Sequence, residues 1–167
     1  MIAPASVEEL TGGLTPPVLA MENAKRKAAA VAGRHPAALV IGADTIVVLA
    51  GKIYGKPSDL PDARRMLKEL AGHRHEVITG VCVIHRPFEL ELVFHDTTGV
   101  WMHHLTAAQI TEYLETIHPL DKAGAYGIQD HGDRIIDRIE GSYSNVMGLP
   151  VERLRASLEK LGLIQGS

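Results

Sequence analysis

"VIGADTIVV", residues 40–48, is a run of apolar, mostly β-favouring residues broken by one glycine and one acid, Asp44. Val40, Ile41, Ile46, Val47 and Val48 are β-branched, and a near-continuous apolar run suits a strand covered on both faces, as parallel strands are. A carboxylate inside such a strand is costly unless it is paired, holds a metal or is neutralised. The chain must therefore place a partner for Asp44 elsewhere, and that partner is the route to function.

Working outward, "VLAMENAKRKAAAVA" (18–32) has high helix propensity, with Val18, Met21, Ala24, Ala28 and Val31 along one face. After the Asp44 strand, "GKIYGKPSDLP" is a Gly- and Pro-punctuated loop. Pro61 then opens a helix that buries Ala63, Met66, Leu67 and Leu70 and ends at Gly72. "EVITGVCVI" and "LELVFHDTTGVWMHH" read as strands separated by the turn "HRPFE". Thr106 and Gln109 form a capping-box pattern ahead of a helix with Ile110, Tyr113 and Leu114 on one side. "DKAGAYGIQDHG" is a long loop, "RIIDRIEGS" a short strand, and "VERLRASLEKLG" a final amphipathic helix on Val151, Leu154, Leu158 and Leu161. Helices interleaved with apolar strands give an α/β fold, a mixed twisted sheet flanked by helices, in a single domain over residues 1–167. Ligands of such sheets bind beyond the carboxyl ends of strands, which makes Asp44, Thr45 and the "GKP" loop candidates for the rim.

A formal net charge of -3 argues against binding a nucleic-acid backbone, since such domains carry a basic face. No apolar run approaches membrane-spanning length. The single cysteine, Cys82, excludes an internal disulfide, and its apolar setting points to a buried thiol in the reducing cytoplasm.

Three lysines stand out around the acid: Lys27 on the first helix, Lys56 in "YGKP" and Lys122 in "LDKAGAYG". A lysine in a Gly-rich loop meets phosphate as a compact cation, and an acid among lysines points to a metal–polyphosphate site. Taken singly, each lysine also reads as a solvated surface group, and an Asp-Thr pair also reads as a turn cap. The histidines of "HRH" (73–75) and "HH" (103–104) match no four-ligand zinc pattern, and Ser142 and Ser144 lie in no nucleophile elbow. "GADT" makes neither a dinucleotide fingerprint nor a P-loop.

Read together, "NAKRKA", "VIGADTIVV", "YGKP", "ARRMLKELAGHRHEVITGV", "DKAGAYGIQ" and "GSYSNVMGLP" resemble the Maf family of nucleoside triphosphate pyrophosphatases, also called septum formation proteins, over nearly the whole chain. The "DKAGAYGIQ" form is similar to the branch acting on dTTP and UTP. The resemblance implies a homodimer, a divalent cation (Mg²⁺ or Mn²⁺) and cytoplasmic hydrolysis of a nucleoside triphosphate to the monophosphate and pyrophosphate. It makes Asp44 the catalytic acid and metal ligand, with Thr45 beside it, Lys27 and Lys56 near the triphosphate, and Glu9 and Gln129 as further substrate-binding residues. Members of that family open with a strand and an S-x-S-P-R-R segment that contacts phosphates, whereas this sequence opens at "MIAPASVEE", just past that point. The resulting expectation is weak triphosphate binding and slow turnover. The alternative function is a weak or inactive nucleotide-binding relative acting in septum formation.

Overall fold

The Asp44 run forms the strand it predicts: β1 spans Val40–Leu49, and Asp44 sits in its middle rather than at its end. The structure, a computed structural model, describes residues 7, 10, 11 and 13–165. Helix α1 (Pro16–Arg34) precedes β1, and a tight turn leads to β2 (Lys52–Tyr54). Helix α2 (Leu60–Leu70) follows, capped by Asp59, whose side chain accepts the Asp62 backbone N–H. The hairpin of β3 (Arg74–His85) and β4 (Leu90–Met102) comes next, then α3 (Ala107–Thr116), whose Thr106–Gln109 capping box forms as expected. A long loop leads to β5 (Ile136–Glu140), the single-turn α4 (Tyr143–Val146) and α5 (Val151–Lys160).

The strands form one sheet in the order β2-β1-β3-β4-β5. The α/β class stands, but the mixed character does not appear: among the described residues all four pairings are antiparallel. The inference from apolar runs to parallel strands failed for a physical reason. Burial on both faces makes a strand continuously apolar whichever way its neighbours run, and β1 is covered by α1 on one side and by the α2–α3 layer on the other.

The two layers are built from different residues. Leu67, Leu70, Met66, Ile110 and Tyr113 from α2 and α3 pack on Val47, Val77 and Val100 in the larger core. Against the other face α1 lays small residues, with Ala20, Ala24, Ala28 and Ala32 buried; of the expected face Ala24 and Ala28 are buried and Val31 packs against them, whereas Val18 is 38% exposed. That choice follows from the strands beneath. A Cβ at Gly42 would meet the Ala24 carbonyl oxygen at 2.5 Å and the Ala28 nitrogen at 2.8 Å, and one at Gly80 would meet the Ala20 carbonyl closer still. Glycine in the sheet and alanine in the helix let the two backbones approach to contact. In α5, Leu154 and Leu158 are buried, whereas Val151 and Leu161 lie on the surface.

Candidate active site

Close approach of α1 brings its polar residues onto β1. Asp44 pairs in register with Gly80, and Asn23 and Lys27, four residues apart and so on one helical face, reach down to it. Lys27 Nζ donates to Asp44 Oδ1 at 2.5 Å, and Asn23 Nδ2 donates to Oδ2 at 3.3 Å. Each oxygen of a carboxylate only 7% exposed therefore has its own donor. The burial cost is offset as a buried charge requires, by an opposite charge and a hydrogen bond together. Asn23 is itself buried, and it also holds the entry segment, accepting the Leu10 N–H at 2.8 Å and donating to the Leu10 carbonyl at 3.2 Å.

Asp44 opens into a cavity of about 330 Å³ that is also lined by Lys27, Thr45, Lys56, Lys122, Tyr126 and Gln129. Thr45 shares a hydrogen bond of 2.9 Å with Thr79, whose hydroxyl donates to the Asn145 carbonyl at 3.1 Å. Two loops close the other side. The Gly124 N–H donates to the Gly55 carbonyl at 3.0 Å, which ties "DKAGAYGIQ" to "YGKP" and holds Gln129 and Lys56 about one space. Tyr113 pins the same loop by accepting the Gly127 N–H at 3.2 Å and donating to its carbonyl at 3.3 Å. Below it, His75 and the Tyr126 hydroxyl share a hydrogen bond of 2.6 Å, and burial pushes the imidazole down to about 4.

Lys122 stands between Asp121, at 3.0 Å, and Asp130, at 3.3 Å. Burial works against its charge, but the hydrogen bonds it donates to both aspartates outweigh that and hold the ammonium above its ordinary range.

Six of the seven residues named from sequence, Asp44, Thr45, Lys27, Lys56, Lys122 and Gln129, thus share one cavity. Glu9 lies outside the described residues. Asn23 was missed, although its spacing from Lys27 in "NAKRKA" was a usable signal. Ser142 and Ser144 have local roles: Ser142 caps α4 by accepting the Asn145 N–H, and Ser144 donates to Glu152 and accepts the Val151 N–H. Among the described residues, no three His, Cys, Asp or Glu side chains cluster to hold a metal. The Cys82 thiol is buried, which raises it to about 11. No helix is long and apolar enough to cross a membrane.

A family model described as Maf-like protein matches residues 1–161. A dTTP/UTP pyrophosphatase of Carboxydothermus hydrogenoformans is 44% identical over 96% of this chain and 87% of its own length. One from Pelotomaculum thermopropionicum is 46% identical over 96% and 85%, and one from Aquifex aeolicus is 42% identical over 99% and 86%.

Proposed function

The chain belongs to the Maf family, and from that premise we propose that it hydrolyses nucleoside triphosphates, with dTTP and UTP as substrates, to the monophosphate and pyrophosphate. The observation that carries the reading is a buried carboxylate, Asp44, opening into the same cavity as Lys27 and Lys56. Such a constellation suits water attack at phosphorus. Asp44 takes a proton as the water oxygen bonds to the α-phosphorus, the bond from that phosphorus to the α,β-bridging oxygen breaks, and the electron pair leaves with pyrophosphate. Lys56 and Lys27 oppose the charge that builds on the phosphate oxygens.

A divalent cation, Mg²⁺ or Mn²⁺, belongs to this proposal. The donor set fits one held mainly by water and phosphate oxygens, because Asp44 offers hard carboxylate oxygens with the Thr45 hydroxyl beside it and, among the described residues, no cluster of three ligating side chains surrounds it. Asp44 would hold the cation, which when bound supplies positive charge to the phosphate oxygens. The reading also carries a cytoplasmic homodimer, supported by the family resemblance and the buried thiol, with light scattering on a sizing column as its first check.

Turnover of dTTP in ¹⁸O-water tests the chemistry. Label in dTMP and none in pyrophosphate is the expected result. Label in pyrophosphate, or release of orthophosphate, would overturn attack at the α-phosphorus.

A further inference from the structure

The cavity carries different charge at its two ends. Where it meets β1, the described residues place two lysines, Lys27 and Lys56, with one aspartate, Asp44. On the loop side, Lys122 and Asp121 line the cavity, and Asp130, outside the lining, lies 3.3 Å from the Lys122 ammonium, so that lysine stands between two aspartates. A triphosphate is a polyanion and is repelled by a surplus of carboxylates, so its phosphates belong at the β1 end. The uncharged end of a nucleotide then extends toward Lys122.

Lys122 is built in rather than loose. Its side chain is 22% exposed and its stem lies against Gly127, where an added Cβ would meet Lys122 Cε at 3.0 Å and Cδ at 3.2 Å. Gly127 is fixed in turn by its two hydrogen bonds with Tyr113. Both Lys122 and Asp121 line the cavity, so the wall presents a donor beside an acceptor. Uracil and thymine offer the complement, a carbonyl acceptor beside a ring N–H donor. Cytosine offers the reverse, an amine beside a ring-nitrogen lone pair, which would set donor against donor and acceptor against acceptor.

We infer that Lys122, partnered by Asp121, is a specificity-determining residue that reads the keto edge of a pyrimidine base, an inference that rests on the nucleotide reading above. It makes the "DKAGAYGIQ" loop the base-side wall and the β1 end the phosphate-side wall.

Equilibrium binding to the full chain tests this without requiring turnover. Calorimetric titrations with UMP, CMP and inorganic pyrophosphate are run on the wild type, on Lys122→Met, which keeps the apolar stem, and on Lys122→Gln, which keeps a donor. Thermal melts confirm that each variant is folded. The wild type is expected to bind UMP at least tenfold more tightly than CMP. Lys122→Met should erase that preference while pyrophosphate affinity stays within twofold, and Lys122→Gln should restore part of it. Equal binding of UMP and CMP by the wild type, or no binding of either, overturns the inference. So does a Lys122→Met variant that keeps the preference or loses pyrophosphate affinity, since the lysine would then be structural or a phosphate cation. If the wild type prefers UMP but releases no pyrophosphate from dTTP or UTP, the catalytic reading fails while the base-side assignment stands.

Discussion

The two faces of the sheet solve different problems. On the α2–α3 face, large side chains such as Leu67, Leu70 and Tyr113 interdigitate over Val47 and Val77, and the layers are held apart by their bulk. On the α1 face, alanines lie on Gly42 and Gly80 and the backbones nearly touch. The first arrangement buries the most apolar surface and contributes most to stability. The second buries less, but it delivers Asn23 and Lys27 to the carboxylate of Asp44 with little freedom to move. One face holds the protein folded, and the other holds a charge in place.

The sharpest way to separate the faces is to damage each alone. Asp44→Asn keeps the volume and removes the charge, so kcat/KM for dTTP should fall by about 10²–10⁴-fold while the chain stays folded. Leu67→Ala, on the opposite face and fully buried, should cost about 2–5 kcal/mol of stability in urea unfolding and leave kcat/KM within a few-fold. If Asp44→Asn unfolds the chain, or Leu67→Ala silences the enzyme at temperatures where it is folded, the division of labour is wrong.

Acid should weaken the α2–α3 side through His75. Burial holds its folded value near 4, against an ordinary value of 6.5, so the unfolded chain takes up the proton first as pH falls. Stability from this group is complete above pH 6.5 and drains away as pH drops toward 4, by about 3 kcal/mol in all. Urea midpoints at pH 7.5, 6, 5 and 4.5 measure it. In His75→Gln, which keeps a partner for the Tyr126 hydroxyl and cannot titrate, the slope between pH 6.5 and 4.5 should flatten. An unchanged slope assigns the acid sensitivity to other groups.

Gly80→Ala probes the seam between the two functions. Its methyl group would run into the α1 backbone at Ala20, so the helix must shift, at a cost of about 1–3 kcal/mol. Because α1 carries Lys27, activity should fall together with stability, unlike in either variant above. Loss of stability with full activity would show that α1 positions nothing that matters to turnover.

What the sequence disclosed divides along the same line. Wherever large apolar residues recur with a clear period, as in α2 with Ala63, Met66, Leu67 and Leu70, the buried face matches the expected one residue for residue. In α1 the pattern was right for Ala24, Ala28 and Val31 but missed Ala20 and Ala32, because alanine is as common on a surface as in a core and the glycines opposite decide which alanines go inside. Strand direction was not legible either, since nothing in an apolar run records the orientation of its neighbours. At the site, Asp44 was conspicuous as a charge in the wrong place, Lys56 came from a Gly-rich loop, and Gln129 came only from the family resemblance. Asn23 escaped because a single amide on an Ala-rich helix looks like solvent-facing polarity, and its four-residue spacing from Lys27 was the one sign that it shares that lysine's face.

The smallest effect, and the most specific, concerns that amide. Asn23 donates to the Asp44 oxygen Oδ2, whereas Lys27 donates to Oδ1, so it fixes the carboxylate's rotation. Removing it by Asn23→Leu deletes one hydrogen bond to a charged group, which is worth about 1.5–3 kcal/mol, and part of that loss should appear as a roughly tenfold lower kcat with KM little changed. The variant also strips the Leu10 backbone of both its partners on Asn23, so some stability will go with it. A double-mutant cycle separates the two consequences. If Asn23 acts through Asp44, adding Asn23→Leu to Asp44→Asn should leave the residual kcat unchanged, because there is no longer a catalytic carboxylate to orient, while the stability losses still accumulate. If the two losses in kcat multiply instead, Asn23 influences turnover by another route, and the close packing of α1 against β1 would be a scaffold for Lys27 alone.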